Sequence, residues 1–65
     1  MKAIRTYSLQ FEADLARIAL EGSDIPAVAV GVSPYPGVIG YVQLLVPEDR
    51  IEEAQMVLKD LEERQ

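Results

Sequence analysis

Carboxylates are the most abundant reactive groups of this 65-residue chain, eleven acids against six bases, and neither histidine nor cysteine accompanies them. They cluster as Glu48/Asp49, Glu52/Glu53 and Glu62/Glu63, all on or beside one helical stretch. Paired carboxylates catalyse proton transfer, or hold calcium or magnesium, only where they converge on a common point. Successive helical residues point about 100° apart, so these pairs diverge and read as a solvated acidic face. Ser8, Ser23, Ser33 and Thr6 offer hydroxyls with no imidazole to activate them, and Lys2 and Lys59 read as exposed. Gly31, Gly37 and Gly40 do not lead into a helix bearing Lys and Ser or Thr, as a phosphate cradle requires. The expected protein is non-catalytic, without cofactor or metal.

The absence of cysteine removes disulfides and thiol chemistry, and the absence of histidine removes most zinc, copper and haem sites. A net charge of −5 argues against a nucleic-acid partner, which calls for a basic patch. Met1-Lys2 is followed by Ala-Ile-Arg-Thr-Tyr rather than an apolar leader. No apolar run approaches the roughly 18 residues of a membrane span. A cytoplasmic location with no membrane partner is expected.

One further feature could carry a contact. Tyr35 stands between Pro34 and Pro36, with Gly37 following. Pro36-Gly37 suits the centre of a type II turn, and an aromatic before proline also suits a cis bond in a type VI turn. Tyr35, Pro36 and Gly37 therefore form a candidate ligand or partner loop, within a connection running from Ser33 to Gly40.

These residues must be positioned by few elements. Ala3 to Tyr7 alternates like a strand, with Ile4 and Thr6 on one side and Ala3, Arg5 and Tyr7 on the other. Ser8 is placed to cap a helix over Leu9 to Glu21, and Gly22 to stop it. Within that helix Gln10, Asp14, Arg17 and Glu21 form a narrow polar stripe, with Arg17 and Glu21 spaced as an i, i+4 pair. Phe11, Leu15 and Ile18 make one apolar edge, and Leu9, Ala13, Ala16 and Leu20 another. The helix thus requires cover on two sides.

Ala27 to Val32 puts Val28, Val30 and Val32 on one face, Ala27, Ala29 and Gly31 on the other. The return strand, Gly40 to Val46, puts Val42, Leu44 and Val46 opposite Tyr41, Gln43 and Leu45. Pro47-Glu48-Asp49 opens a second helix, on which Ile51, Ala54, Leu58 and Leu61, widened by Val57, form a stripe fit for one-sided packing.

Three strands with one bulky face each and two helices predict a single α+β domain over residues 1–65. It is a two-layer sandwich of order βαββα, a ferredoxin-like fold lacking its last strand, with an antiparallel sheet of order 2-3-1. If both helices cover the valine-rich side, the other face is open. Its candidate partner residues are Arg5, Tyr7, Tyr41, Gln43 and Leu45, among the small residues Ala3, Ala27, Ala29 and Gly31. The missing last strand also leaves the first strand as a free edge. In so short a chain apolar burial and ordering entropy nearly cancel, which favours a protein partner or a homodimer.

Two blocks carry a resemblance. Glu12-Ala13-Asp14-Leu15-Ala16-Arg17, with Leu20-Glu21 and Ile25-Pro26-Ala27, is the first. Leu45-Val46-Pro47-Glu48-Asp49, with Glu53-Ala54 and Val57-Leu58, is the second. In both, the chain resembles a small bacterial family named for prokaryotic signal-transducing proteins, a domain of unknown function. Asp24 stands where that family usually has glycine before Ile-Pro, and aspartate tolerates a left-handed turn. The family looks related in fold to the PII nitrogen-regulatory proteins, which signal through a long loop between their second and third strands. The loop around Tyr35 is short and lacks the basic, nucleotide-binding residues of PII. The resemblance implies a regulatory or protein-interaction module in signal transduction. The alternative is a small-metabolite sensor binding at the loop Ser33 to Gly40.

Overall fold

The computed structural model describes residues 1–38 and 40–64. Ile39, inside the candidate loop, lies outside the described residues. The elements run β1 (Lys2–Tyr7), α1 (Gln10–Gly22), β2 (Val28–Val32), β3 (Tyr41–Val46) and α2 (Ile51–Glu63), with a 3-10 turn, Glu48–Arg50, before α2. The sheet is antiparallel and ordered β1-β3-β2, with both helices packed on one side of it. This is the expected βαββα sandwich.

The core lies between the layers. Leu44 and Val46 of the central strand pack with Ala16 and Leu20 of α1, Ala54 and Leu58 of α2, and Ile25 and Ala27 of the connection before β2. Ile4, Tyr7, Ile51 and Val57 close its margins. Alanine dominates the inner surface of α1, where Ala13, Ala16 and Leu20 are buried, so that helix approaches the sheet closely. The stripe expected on α2 is the one used.

Two strands present the opposite face from that expected. Antiparallel partners share a face, and β2 pairs Val28 with Leu45, Val30 with Gln43 and Val32 with Tyr41. Its valines therefore look away from the helices, while Ala29 and Gly31 lie beside Leu44 and Val42 on the helix side. Small residues go beneath α1 because that helix leaves little depth there. In β1 the register slips between Ala3 and Arg5, which face Leu45 and Leu44 in turn. Ile4 is the extra residue of a β-bulge, and such a bulge shifts the alternation by one. Arg5 and Tyr7 consequently turn toward the helices, leaving Ala3 and Thr6 on the open side.

The helix ends also differ. Leu9, not Ser8, is the N-cap residue of α1, and no side chain caps it. At the other end Gly22 is the last helical residue, and the stop is made by Asp24 at φ 65°. The Ile25 N–H donates to the Leu20 carbonyl at 2.9 Å and the Asp24 N–H to that of Glu21 at 3.0 Å. This is a Schellman motif with aspartate in the left-handed position, and buried Leu20 and Ile25 supply its apolar contact. Gly22→Ala is therefore expected to stabilise the fold by about 0.5–1 kcal/mol, since nothing lies within 4 Å of the added carbon. Asp24→Val should cost about 1–2 kcal/mol, because a β-branched residue resists positive φ. Urea midpoints moving in the same direction for both variants would count against this assignment.

Candidate functional site

Two surfaces remain after the core is built. The first is the open sheet face, where Val28, Val30 and Val32 of β2 lie beside Tyr41, Gln43 and Leu45 of β3. Val28, Val30 and Tyr41 are 43, 42 and 42% exposed. With Ala3 and Thr6 on the β1 side, no open-face residue of the three strands is charged.

Of the five residues expected on this face, Tyr41, Gln43 and Leu45 are there. Arg5 and Tyr7 are not, because the bulge at Ile4 redirects them. Arg5 Nε donates to Glu62 Oε1 of α2 at 3.3 Å. With both side chains a third or more exposed, the bond fixes position more than it stabilises. The three valines replace the small residues expected there, so the face is more apolar than anticipated. Their parity was readable from Ile25: counting by twos from that core-type residue reaches Ala27, Ala29 and Gly31, which places the valines outside.

The second surface belongs to α1. Its polar stripe is tied together by Gln10 donating to Asp14 at 2.9 Å and Arg17 to Glu21 at 2.8 Å. Its second apolar edge lacks the full cover expected for it, since Phe11 is 69% exposed, Ile18 56% and Leu15 39%. On the α2 side this ridge falls into a groove of about 460 Å³, walled by Leu9, Leu15 and Ala16 against Leu58 and Leu61. Tyr7, Glu12 and Glu62 border it. Burial, and then the Glu62 carboxylate, hold the Tyr7 phenol above the ordinary tyrosine value; Arg5 opposes them and Glu12 adds slightly. Tyr7 is thus a neutral hydrogen-bond donor at physiological pH rather than a base.

The candidate loop is an ordinary turn. The Val38 N–H donates to the Tyr35 carbonyl at 3.1 Å and Gly37 has φ 80°, the geometry of a type II turn around Pro36-Gly37. Peptide bonds among the described residues are trans, so the type VI alternative is not adopted. Tyr35 stands 68% exposed at its corner, and the groove lies elsewhere. Among the described residues no three acids converge as metal ligands, and no helix is long and apolar enough to cross a membrane.

No family model, curated protein or solved structure matches this chain.

Proposed function

We propose that the protein is a non-catalytic interaction module of the cytoplasm that engages a protein partner through the open face of its sheet. The observation that carries this reading is an uncharged face of valine, tyrosine, glutamine and leucine that none of the described elements covers. Contiguous apolar surface of this kind marks contact sites. With the net charge of −5 carried elsewhere on the chain, no charged side chain of the strands need be desolvated when this face is covered. The resemblance to signal-transducing proteins supports a regulatory setting for such a contact.

The test places a photo-crosslinking residue at Val30 and, as a control, at Lys59. A discrete adduct is expected from position 30 in cells and not from position 59. Leu45→Glu, introduced alongside, should abolish that adduct while the helical circular-dichroism signal is retained. An adduct that survives Leu45→Glu, or none at all, removes the reading.

A second reading, a small-metabolite sensor, draws support from the groove beside Tyr7 rather than from the loop Ser33 to Gly40. Its volume lies in the range of ligand pockets, roughly 300–1,000 Å³. A thermal-shift screen separates the two, because a ligand at a hundred times its Kd adds about 2.7 kcal/mol. Flat shifts throughout would dismiss it.

A further inference from the structure

We infer that the groove between the start of α1 and the end of α2 binds a small organic cation, an ammonium group carried on an apolar body such as an aromatic ring. The inference rests on the metabolite reading of this groove and names the class of ligand it takes. The cavity of about 460 Å³ has apolar walls, and the charged residues that line it, Glu12 and Glu62, are both acids. Two aromatic side chains, Tyr7 and Phe11, line it as well. Carboxylates attract a cation by charge, and aromatic faces attract it through the ring quadrupole. The groove thus offers an ammonium two kinds of partner and an anion neither.

The two acids are not equivalent. Glu12 lies in the first turn of α1, where a carboxylate complements the positive end of the helix dipole, so its place is explained without a ligand. It also offsets the free N–H groups of that helix start, which would otherwise favour an anion. Glu62 is the informative one. It lies in the last turn of α2, beside the negative end of that helix, and no basic residue stands in that turn. Arg64, at the C-cap, is engaged by Asp60 at 3.0 Å. An acid set against the field of its own helix, at the rim of an apolar groove, is the kind of departure from local preference that binding sites carry.

Arg5 does not close the site. It meets Glu62 through one 3.3 Å contact between side chains 35 and 54% exposed. A carboxylate has about four acceptor positions, so Glu62 can take a second cation without releasing the first. The Tyr7 phenol shows which charge prevails there. Burial is the larger cause of its raised pKa, and among the charges Glu62 outweighs Arg5, with Glu12 adding to it. The phenol stays protonated, and its oxygen can accept an N–H bond from the ammonium.

The test is an amide NMR titration of the whole chain, at neutral pH, with three probes of similar shape: phenethylammonium, phenethyl alcohol and hydrocinnamate. Phenethylammonium is expected to shift the amides of residues 9–16 and 58–62 and to bind about tenfold more tightly than the alcohol, with hydrocinnamate weakest. Glu62→Gln should weaken the ammonium about two- to fivefold, the size of a half-exposed charge contact, and improve hydrocinnamate because Arg5 is then unpaired. Glu12→Gln should weaken the ammonium by a similar factor. Glu52→Gln removes an exposed acid from the opposite end of α2 and should change nothing, which separates a site from the general attraction of a chain of net charge −5. Equal affinity for the alcohol, or tighter binding of hydrocinnamate at the same amides, would overturn the cation and leave the metabolite reading standing. An equal loss with Glu52→Gln, or no groove shift from phenethylammonium, would also overturn it. The thermal-shift screen, which includes anions and neutral compounds, decides the metabolite reading separately.

Discussion

Gly40→Ala is expected to remove roughly 3 kcal/mol of the protein's stability. A Cβ at residue 40 would fall inside the Val32 carbonyl oxygen and meet Pro34 Cδ at 3.0 Å. The obstacle is backbone, not the end of a flexible side chain, so it has nowhere to move without parting the Val32–Tyr41 rung that begins the β2–β3 ladder. Overpacking of this kind costs roughly 3 kcal/mol. A chain of this size has about 3–10 kcal/mol of stability in all, at ~0.05–0.15 kcal/mol per residue. Thermal unfolding should shift down by on the order of 15 °C. The opposite sign expected at Gly22 makes the comparison informative, since composition alone cannot tell one glycine from the other. A Gly40→Ala midpoint within a degree of wild type would mean that the hairpin base is not closed as described.

The glycines illustrate what a sequence does and does not disclose. Gly37 was legible because its role is local: proline before it and φ 80° are both set within four residues. Gly40 was not, because its constraint is the approach of Val32, eight positions earlier in the chain. The same division holds for the strands. The inner face of β3 alternates regularly between buried Val42, Leu44 and Val46 and their neighbours, and periodicity finds it directly. The orientation of β2 is the reverse of what the bulk of its valines implies, because the side of the sheet beneath α1 faces alanines on another element. Small faces small there, and the large side chains are left outside.

The orientation of β1 is hidden in the sequence for a different reason. Alternation assumes an unbroken register, and one extra residue at Ile4 reverses every side chain after it. Nothing in Ile4 or Arg5 announces a bulge, though its effect serves the fold twice. It lets Arg5 reach Glu62 on α2, and it roughens the free edge of β1, which works against strand addition there. The first-strand route to a dimer is accordingly weaker than the sequence suggested. On α1, by contrast, the demand for cover on two sides was legible in full, and the structure supplies only part of it. That unmet demand is the origin of the candidate ridge: a requirement stated by the sequence and left open by the isolated chain.

Leu44→Ala is the second substitution expected to be severe, and its contrast with Leu45→Ala separates the two faces of the sheet energetically. Leu44 has no exposed surface and sits in the middle of the central strand, opposite Ala29 on one side and Arg5 on the other. It belongs to a core cluster in which three of the other seven buried residues are alanines, Ala16, Ala27 and Ala54, so the cluster depends on its few large side chains for volume. Alanines cannot change rotamer to occupy a void, and the helices would have to shift bodily to close it. The cost should therefore lie in the upper part of the usual Leu→Ala range, about 3–5 kcal/mol. Leu45 follows it on the strand and points to the open face, where truncation should cost well under about 1 kcal/mol in the monomer. Denaturant titration of both variants at low protein concentration measures this difference directly. Equal losses would mean that both faces are covered in the folded protein, and the open face would no longer be available to a partner.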